Sequence, residues 1–232
     1  MKTTRAFIFA RGGSKGIPNK NLLQLNGIPL VAHSILLAKR LDEVERVYVS
    51  TDSEEIGNVA VKHGAEVIRR PHELATDNAP EWLAWKHAIK KSTNQDGYFD
   101  VFLSLPPTAP LRKCCDIKNC LTALKKPWDI VITATNARRN PWFNMVTIDS
   151  SGSTKLVFED AKFNQRQNAP ICFDLTTVAY VAKPEFILSA KGIWSGKVTT
   201  VQIPYERSID IDEPIDFEIA RFLMEHPNDL GD

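Results

Sequence analysis

A glycine-rich turn after the first apolar run is the first segment of this sequence that could do chemistry. Residues 5–10 (RAFIFA) suit a buried strand, and residues 10–16 (ARGGSKG) continue directly from it. Glycines permit close backbone approach, and successive backbone amides in such a loop can cradle phosphate oxygens. Arg11, Lys15 and Lys20 bring cations to the same neighbourhood. The turn therefore predicts a site for a phosphorylated ligand.

This turn matches neither of two common nucleotide-binding motifs. The chain has no G-x-x-x-x-G-K-[ST] sequence, which excludes a P-loop, and no G-x-G-x-x-G, which argues against a dinucleotide oxidoreductase. A flexible surface turn with solvated cations is the alternative interpretation. The position of the turn favours a binding site, because open parallel sheets bind ligands beyond the carboxyl ends of their strands.

Two aspartates late in the sequence could hold a metal ion. Polar and apolar residues alternate in 208–212 (SIDID), and strand side chains alternate between the two faces of a sheet. The isoleucines would face the core, and Asp210 and Asp212 would lie together on the other face. Mg²⁺ takes one or two carboxylates together with substrate phosphate oxygens. Because Asp212 precedes Glu213-Pro214, it could also cap the last helix, and the two roles can coexist.

Alternating strands and helices must position these residues. The predicted strands cover 5–10, 46–50, 65–69, 100–105, 129–134, 177–182 and 198–203. The predicted helices cover 29–41, a stretch between Ser53 and Gly64, 80–91, a stretch that begins at Asp116, and 214–224. This alternation predicts a Rossmann-like α/β fold, with a mostly parallel sheet and helices on both of its faces.

The alternation breaks at residues 136–175. This stretch contains Arg138 and Arg139, followed by a polar run that ends at Pro170. It predicts an inserted lobe within a single domain that spans 1–232. The two arginines could equally be an ordinary solvated pair.

The composition is that of an ordinary globular protein. Of 232 residues, 43% are hydrophobic and 25% are charged, and the net charge is +1. This balance gives no electrostatic argument for nucleic acid or a membrane as a partner. The first residues lack the apolar stretch of a signal peptide, and no run approaches the length of a membrane span. The four cysteines lack zinc-type spacing and are expected to be reduced thiols, so the predicted compartment is the cytoplasm.

Five motifs in order give the sequence a specific family resemblance. They are ARGGSKGIPNKN at 10–21, STD at 50–52, RRPHELATD at 69–77, PPTAPLR at 106–112 and SIDID at 208–212. Together they resemble the acylneuraminate cytidylyltransferase family, the CMP-sialic acid synthetases, over nearly the whole chain. Two further stretches are most similar to the legionaminic acid cytidylyltransferases within that family, namely ARRNPWFN at 137–144 and RQNAP at 166–170.

The resemblance implies an enzyme that transfers CMP from CTP to the anomeric hydroxyl of a nonulosonic acid and releases pyrophosphate. It implies Mg²⁺ on Asp210 and Asp212, and a homodimer in which the lobe reaches toward the partner's active site. By position, the implied nucleotide-binding residues are Arg11, Gly12, Gly13, Ser14, Lys15, Asn21, Arg70, Asp77 and Thr108. The implied catalytic residues are Arg11, Lys15, Lys20 and Asp210. The implied sugar-binding residues are Arg166 and Tyr180.

Two departures from the family pattern lie at the sugar end of the implied site. Pro106 stands where sialic acid enzymes usually carry a Gln that touches the sugar. Residues 174–177 (DLTT) stand where those enzymes carry Arg-Pro-Asn-Gly. Both changes argue against plain N-acetylneuraminate as the substrate and leave the use of CTP intact.

The implied mechanism is direct attack of the sugar hydroxyl on the α-phosphorus of CTP. Cations would stabilise the developing charge, and positioning of the hydroxyl would give most of the acceleration. The general base stays open between a metal-bound water or hydroxide and a nearby carboxylate. One alternative is a cytidylyltransferase for an eight-carbon acid such as Kdo, which the motif spacing and the Arg138–Arg139 region disfavour. Another is a nucleotide-binding regulator without turnover, which the intact cations and aspartates disfavour.

Overall fold

Strands and helices alternate along the chain in the computed structural model, which describes residues 2–14, 16–158, 163 and 165–226. The strands, in chain order, are β1 (Thr4–Phe9), β2 (Gln24–Leu25), β3 (Ile28–Pro29), β4 (Val44–Thr51), β5 (Glu66–Arg69), β6 (Val101–Ser104), β7 (Ile130–Asn136), β8 (Val146–Ile148), β9 (Thr154–Leu156), β10 (Phe173–Ala182) and β11 (Val198–Gln202). The helices are α1 (Leu30–Ala38), α2 (Glu54–Lys62), α3 (Glu81–Asp96), α4 (Cys114–Ala123), α5 (Pro184–Ser189) and α6 (Pro214–Glu225). Within the described ranges, none of these helices combines the length and apolar character that crossing a membrane requires.

Seven strands form the central sheet, in the order β11-β7-β10-β6-β1-β4-β5. The pairs β1–β4, β1–β6, β4–β5 and β7–β11 are parallel, and β10 runs antiparallel to both β6 and β7. Two antiparallel hairpins, β2–β3 and β8–β9, lie outside this sheet. The predicted mostly parallel α/β sheet is confirmed.

The helices cover both faces of the sheet because the central strands are apolar on both sides. In β1, Ala6 and Ile8 pack into a core that contains apolar side chains of α1, α2 and α4. Phe7 points to the opposite face, where Trp85 of α3 and Ile187 of α5 belong to a second core. A strand that is buried on both faces reads as a continuous apolar run, which is why residues 5–10 were recognisable in the sequence.

Several element boundaries differ from the sequence prediction. Helix α3 begins one residue after Pro80 and continues to Asp96, well beyond the predicted residue 91. Helix α4 begins at Cys114, because Asp116 forms a capping box at the third helical position with the backbone of Lys113. Helix α5 was not predicted. Its six residues are too few to show a helical repeat in the sequence.

The stretch predicted as a lobe leaves the sheet and returns beside the strand that it left. Strand β7 ends at Asn136, and β10 begins at Phe173, which is paired directly with Asn136. Between them lies the β8–β9 hairpin, with the rings of Trp142 and Phe158 stacked at 4.6 Å. Residues 159–162 and 164 of this stretch lie outside the described residues.

Candidate active site

A cavity of about 650 Å³ lies at the carboxyl ends of the parallel strands. The segments that follow β1, β5 and β6 meet there, as expected for an open α/β sheet. Most of the predicted site residues line this cavity, namely Arg11, Ser14, Lys20, Asn21, Arg70, Asp77, Thr108, Tyr180, Asp210 and Asp212.

Four predicted site residues are not among those that line the cavity. Gly12 and Gly13 belong to the adjoining turn. Lys15 lies outside the described residues, and so does the side chain of Arg166. The backbone of Arg166 forms a short 3-10 turn in the stretch predicted as a lobe. None of the described residues between 137 and 172 lines this cavity in the single chain.

The glycine-rich turn is fastened to three parts of the chain. The backbone amide of Gly12 donates to the Asp52 carboxylate at 2.9 Å, and the buried Asn21 amide donates to the Arg11 carbonyl at 3.0 Å. At Gly16, any Cβ atom would collide with the backbone carbonyl oxygen of Asp212. Glycine is therefore required at residue 16, because the turn packs directly against the segment that carries the two aspartates.

Two of the predicted phosphate-binding cations are paired with carboxylates. Arg11 Nη1 lies 2.6 Å from Asp77 Oδ1, and both side chains are partly exposed. Lys20 Nζ lies 2.8 Å from Asp212 Oδ1 and also donates to the carbonyl of Ile211 at 2.6 Å. Exposed ion pairs contribute little to stability, so a polyphosphate can replace these carboxylates at low cost.

Arg70 is a third cation in the cavity, and it is held more tightly. Its Nε donates to Ser50 Oγ at 3.1 Å and its Nη2 to the Ser50 carbonyl at 2.6 Å. The guanidinium lies over the Phe9 ring, 5.6 Å from the centroid. Burial lowers the pKa of Arg70, and the negative charges of Glu81 and Asp52 oppose that effect. The residue is fixed before any ligand arrives.

The two aspartates lie on a segment without regular secondary structure outside the sheet, not on the predicted strand. The burial alternates as predicted, because Ile209 and Ile211 are buried and the Ile211 amide donates to the Thr108 carbonyl at 2.8 Å. The Asp212 side chain is 70% exposed. Asp212 is not the cap of α6. Glu213 occupies that position and forms a capping box with Asp216.

Asp210 has the electrostatic character of a metal ligand. Its Oδ1 is buried and has no hydrogen-bond partner among the described residues. Burial raises the pKa of Asp210, and the negative charge of Asp212 adds to this rise against the lowering effect of the Thr108 hydroxyl. A carboxylate with an unsatisfied buried oxygen, next to a second carboxylate, fits Mg²⁺. No cluster of three or more metal-ligating side chains occurs in the described part of the chain, so the remaining ligands would come from substrate and water.

Buried arginines that the sequence analysis did not single out support the loops around the aspartates. Arg112 donates to the carbonyls of Ala109 and Pro106, and thereby shapes the loop that carries Thr108. Arg207 makes two hydrogen bonds to Asp116, Nε to Oδ2 at 3.1 Å and Nη2 to Oδ1 at 3.0 Å. Burial lowers the pKa of Arg112 to about 9, and the charges of Asp210 and Asp116 act against this. For Arg112, the available signal was a charged residue at the end of the largely apolar motif PPTAPLR.

Glu81 is a cavity residue that the sequence analysis also missed. It is the first residue of α3, directly after Pro80. An acidic residue in that position reads as a favourable partner of the helix dipole, so its type and spacing alone give no reason to assign it to a site.

Comparisons with known proteins agree with this geometry. A sequence model of the family described as cytidylyltransferase matches residues 6–221. The chain is 34% identical over 224 residues to the CMP-N,N'-diacetyllegionaminic acid synthase of Campylobacter jejuni, covering 95% of this chain and 94% of that protein. It is 31% identical over 228 residues to the N-acylneuraminate cytidylyltransferase of Escherichia coli, covering 96% of this chain and 52% of that protein.

A similarity to solved structures extends to the fold alone. The structure of CMP:2-keto-3-deoxy-manno-octonic acid synthetase complexed with CTP superimposes with a TM-score of 0.72. The match covers 97% of this chain and 99% of that chain at 14% sequence identity.

Proposed function

The chain belongs to the cytidylyltransferase family, and we propose that it transfers CMP from CTP to the anomeric hydroxyl of a nonulosonic acid of the legionaminic or sialic type, with release of pyrophosphate. One observation carries this proposal. A single cavity combines the cations Arg11, Lys20 and Arg70 with the partnerless buried oxygen of Asp210 beside Asp212. Such a cavity suits a polyphosphate that arrives with a divalent ion.

The glycine-rich turn and its cations would hold the triphosphate. Arg11 and Lys20 would exchange Asp77 and Asp212 for phosphate oxygens, because charge-assisted bonds to phosphate are stronger than exposed ion pairs. The backbone amides of Gly13 and Ser14 would add donors, the Gly12 amide would join them on leaving Asp52, and Lys15 would contribute a further charge. Asn21 supports this turn through the Arg11 carbonyl.

Asp210 and Asp212 would hold Mg²⁺, in accordance with the unsatisfied oxygen of Asp210. When bound, Mg²⁺ supplies Lewis acidity and charge neutralisation at the phosphate oxygens. Lys20 pairs with Asp212 in the chain as described, and it would turn to the phosphates when the site fills. The buried Ile209 and Ile211 fix the position of both carboxylates by packing.

The chemical step would be an in-line displacement at the α-phosphorus. The oxygen of the anomeric hydroxyl forms a bond to that phosphorus, the bond to the β-phosphate bridging oxygen breaks, and pyrophosphate leaves. The hydroxyl proton passes to a base, for which no residue is assigned. Arg11 and Lys20 would stabilise charge on the departing phosphates, and fixed positioning of the reacting groups would supply much of the acceleration.

Residues at the sugar end favour legionaminic acid over sialic acid. Pro106 lines the cavity and has no side-chain donor, and Thr177 and Tyr180 line the same cavity. A site without a polar partner prefers a substrate without the corresponding group, because an unpaired buried hydroxyl costs about 1–3 kcal/mol. Legionaminic acid lacks the terminal hydroxyl of sialic acid.

The lobe would complete the sugar site across a homodimer. Large apolar side chains are exposed on the described part of the lobe, namely Met145, Val146, Ile148, Val157, Phe158 and Ile171. An exposed apolar concentration of this kind marks an interaction surface. Arg166 belongs to the lobe and would bind the sugar carboxylate of the partner's site through its guanidinium fork. The proposed compartment is the cytoplasm, where the four free cysteines would stay reduced.

Pyrophosphate release from CTP and Mg²⁺ with a panel of acidic sugars tests this proposal. The panel contains N,N'-diacetyllegionaminate, N-acetylneuraminate and Kdo. We expect release with the nine-carbon acids and a higher kcat/KM for the legionaminate. A preference for N-acetylneuraminate would overturn the sugar assignment alone, a preference for Kdo would select the eight-carbon alternative, and no release with any sugar would overturn the proposed function.

A further inference from the structure

The antiparallel strand β10 is interrupted where it passes the cavity. Thr176 is paired with Thr133 of β7, but the next residue of β10 that pairs with β7 is Val181, opposite Val131. Residues 177–180 of β10 therefore stand opposite a single residue of β7. Bulges of this kind bend a strand and re-aim its side chains, and they are common next to active sites.

The bulge, residues 177–180, joins the cavity to the loop beside the aspartates. Thr177 and Tyr180, at its two ends, line the cavity. Val178, between them, packs into a small core with Ala109. The neighbour of Ala109 in the loop is Thr108, whose carbonyl accepts the backbone amide that follows Asp210. A displacement of the bulge would therefore disturb the cavity lining and the support of the aspartates together.

Thr177 brings a hydroxyl close to Asp210. Its Oγ1 is buried and makes no hydrogen bond of good geometry among the described residues. Burial raises the pKa of Asp210, and the nearby hydroxyls of Thr108 and Thr177 act against that rise. At the other end of the bulge, the Tyr180 ring lies 5.2 Å from that of the buried Trp85. Both ends of the bulge are thus placed against parts of the proposed site.

One buried hydroxyl, that of Thr133, holds the bulge. It donates to the Thr176 carbonyl at 3.1 Å, and it accepts from the Thr176 hydroxyl at 2.8 Å and from the Ala179 amide at 3.4 Å. A hydroxyl has one donor and two acceptor sites, so these bonds use its whole capacity. All of them go to the bulge or to the residue directly before it.

Packing alone does not explain a threonine at this position. Thr133 is fully buried in β7, and Val131, two residues earlier on the same face of the strand, is buried and apolar. Valine has nearly the shape of threonine and suits a strand equally well, but it lacks the hydroxyl. What the hydroxyl adds at this position is the set of bonds to the bulge.

We propose that Thr133 is a positioning residue for the proposed transfer, because its hydroxyl holds the 177–180 bulge in place. The bulge in turn sets Thr177 beside Asp210 and Tyr180 in the lining of the cavity. Thr133 itself is not among the residues that line the cavity in the described chain, so it acts through the bulge. This inference rests on the proposed function, which supplies the reaction. The cations that would hold the triphosphate lie on other elements, so the effect should fall on the sugar and not on CTP.

Thr133→Val tests the proposal, since it keeps the shape of the side chain and removes the hydroxyl. We expect kcat/KM for N,N'-diacetyllegionaminate to fall by at least about tenfold, because a misplacement of about 1 Å can cost about 10²-fold in rate. The KM for CTP should change by less than about threefold, since an interaction with CTP is not removed. Thr133→Ser keeps the hydroxyl and should retain most of the wild-type value. Initial rates of pyrophosphate release give all of these constants.

Thr135→Val is the matched control. Thr135 is buried on the same face of β7 and is paired with Asp174, before the bulge begins. The control should match the wild type for both substrates. Thr177→Val removes the hydroxyl beside Asp210 and leaves Thr133 intact, so it should show the same selective loss, and it decides the question if thermal unfolding shows that Thr133→Val does not fold.

Three results would overturn the inference alone, given a wild type that turns over. They are wild-type kinetics in Thr133→Val or in Thr177→Val, equal losses in Thr133→Val and Thr133→Ser, and a loss in Thr133→Val that weakens CTP as much as the sugar. Equal losses would mean that packing and not the hydroxyl matters. A wild type that releases no pyrophosphate with any acidic sugar would instead overturn the proposed function, and the positioning role with it.

Discussion

At Asp210, two effects act on one side chain. Burial and the neighbouring Asp212 both raise its pKa, and the buried Oδ1 has no hydrogen-bond partner among the described residues. A cation placed between the two carboxylates would reverse both effects. The Asp210 carboxylate therefore destabilises the folded protein, and its charge becomes favourable only when a cation binds beside it. This is the pattern of a functional group.

Replacing Asp210 by Asn should lower turnover by at least about 10²-fold, the scale of losing a key electrostatic contact in a transition state. The reason is that an amide cannot neutralise the divalent ion that the proposed mechanism requires. The measurement is the rate of pyrophosphate release at saturating CTP and Mg²⁺. Wild-type rates in this variant, or wild-type rates in excess chelator, would remove the metal assignment.

The pH dependence of the free energy of unfolding provides the control for the Asp210→Asn variant. The raised pKa means that the folded protein holds the Asp210 proton more tightly than the unfolded chain does. This contribution to stability is present at low pH and is lost as the pH rises through the raised pKa. In chelator, the variant should therefore gain stability relative to the wild type between acidic and neutral pH. Chemical denaturation across that range would show the opposite trend if Asp210 were a structural carboxylate.

Residue types and spacing predicted the paired aspartates and the cation-rich turn, but not Glu81 or Arg112. Asp210 and Asp212 alternate with isoleucines, so their common side was readable from the pattern alone. Glu81 follows Pro80 at the start of a helix, where any acid is explained by the helix dipole. Its place in the cavity depends on the folded chain, in which β1 and the residue after β5 bring Phe9 and Arg70 to the same cavity.

At the scale of elements, the buried pair of Asp116 and Arg207 joins α4 to the segment that carries the aspartates. Both side chains are almost fully buried, and Asp116 also accepts the backbone amide of Lys113 at the start of the helix. One carboxylate thus fixes the start of α4 and the residue that precedes 208–212. Ion pairs of this kind define geometry more than they add net stability.

Asp116→Asn should destabilise the fold by about 3–5 kcal/mol, because it leaves the Arg207 charge buried without its partner. The free energy of unfolding in urea measures this. Glu218→Gln is the matched control, since Glu218 and Arg221 form an exposed pair on α6 whose loss should cost at most about 1 kcal/mol. Equal effects of the two substitutions would show that the buried pair does not hold these elements.

Elements with a long periodic or apolar signature were predictable, and those defined by tertiary contacts were not. Strand β1 and helix α2, with its Ser53 cap, lie within a few residues of their predicted positions. The segment at 208–212 reads as a strand because its residues alternate. The Ile211 amide nevertheless bonds to the Thr108 loop and not to a strand of the sheet. Local sequence does not distinguish these two partners.

For the molecule as a whole, the stretch predicted as a lobe is the part that the proposed homodimer would complete. It carries exposed apolar side chains, and its described residues stay away from the cavity. In the proposed homodimer, the same surface would bury those side chains and bring Arg166 to the partner's site. Dimer formation and sugar binding would then be linked.

Ile148→Asp tests that link. Ile148 lies on the β8–β9 hairpin and is 69% exposed, so a charge there should leave the central sheet folded and disrupt the proposed interface. We expect a dimer for the wild type in sedimentation experiments, and a monomer with strongly reduced transfer for the variant. Val61→Asp is the control, because Val61 is 64% exposed on α2 and outside the lobe. A monomeric and fully active wild type would contradict the linkage.

The central claim is the transfer of CMP to the anomeric hydroxyl, and phosphorus NMR of one reaction tests it most directly. Wild-type protein is mixed with CTP, Mg²⁺ and N,N'-diacetyllegionaminate, and the products are followed in time. The account predicts that the CTP signals disappear while a phosphodiester signal of a CMP-sugar and the signal of pyrophosphate grow in equal amounts. Unchanged CTP, or CTP converted to CMP or CDP without a phosphodiester, would contradict it.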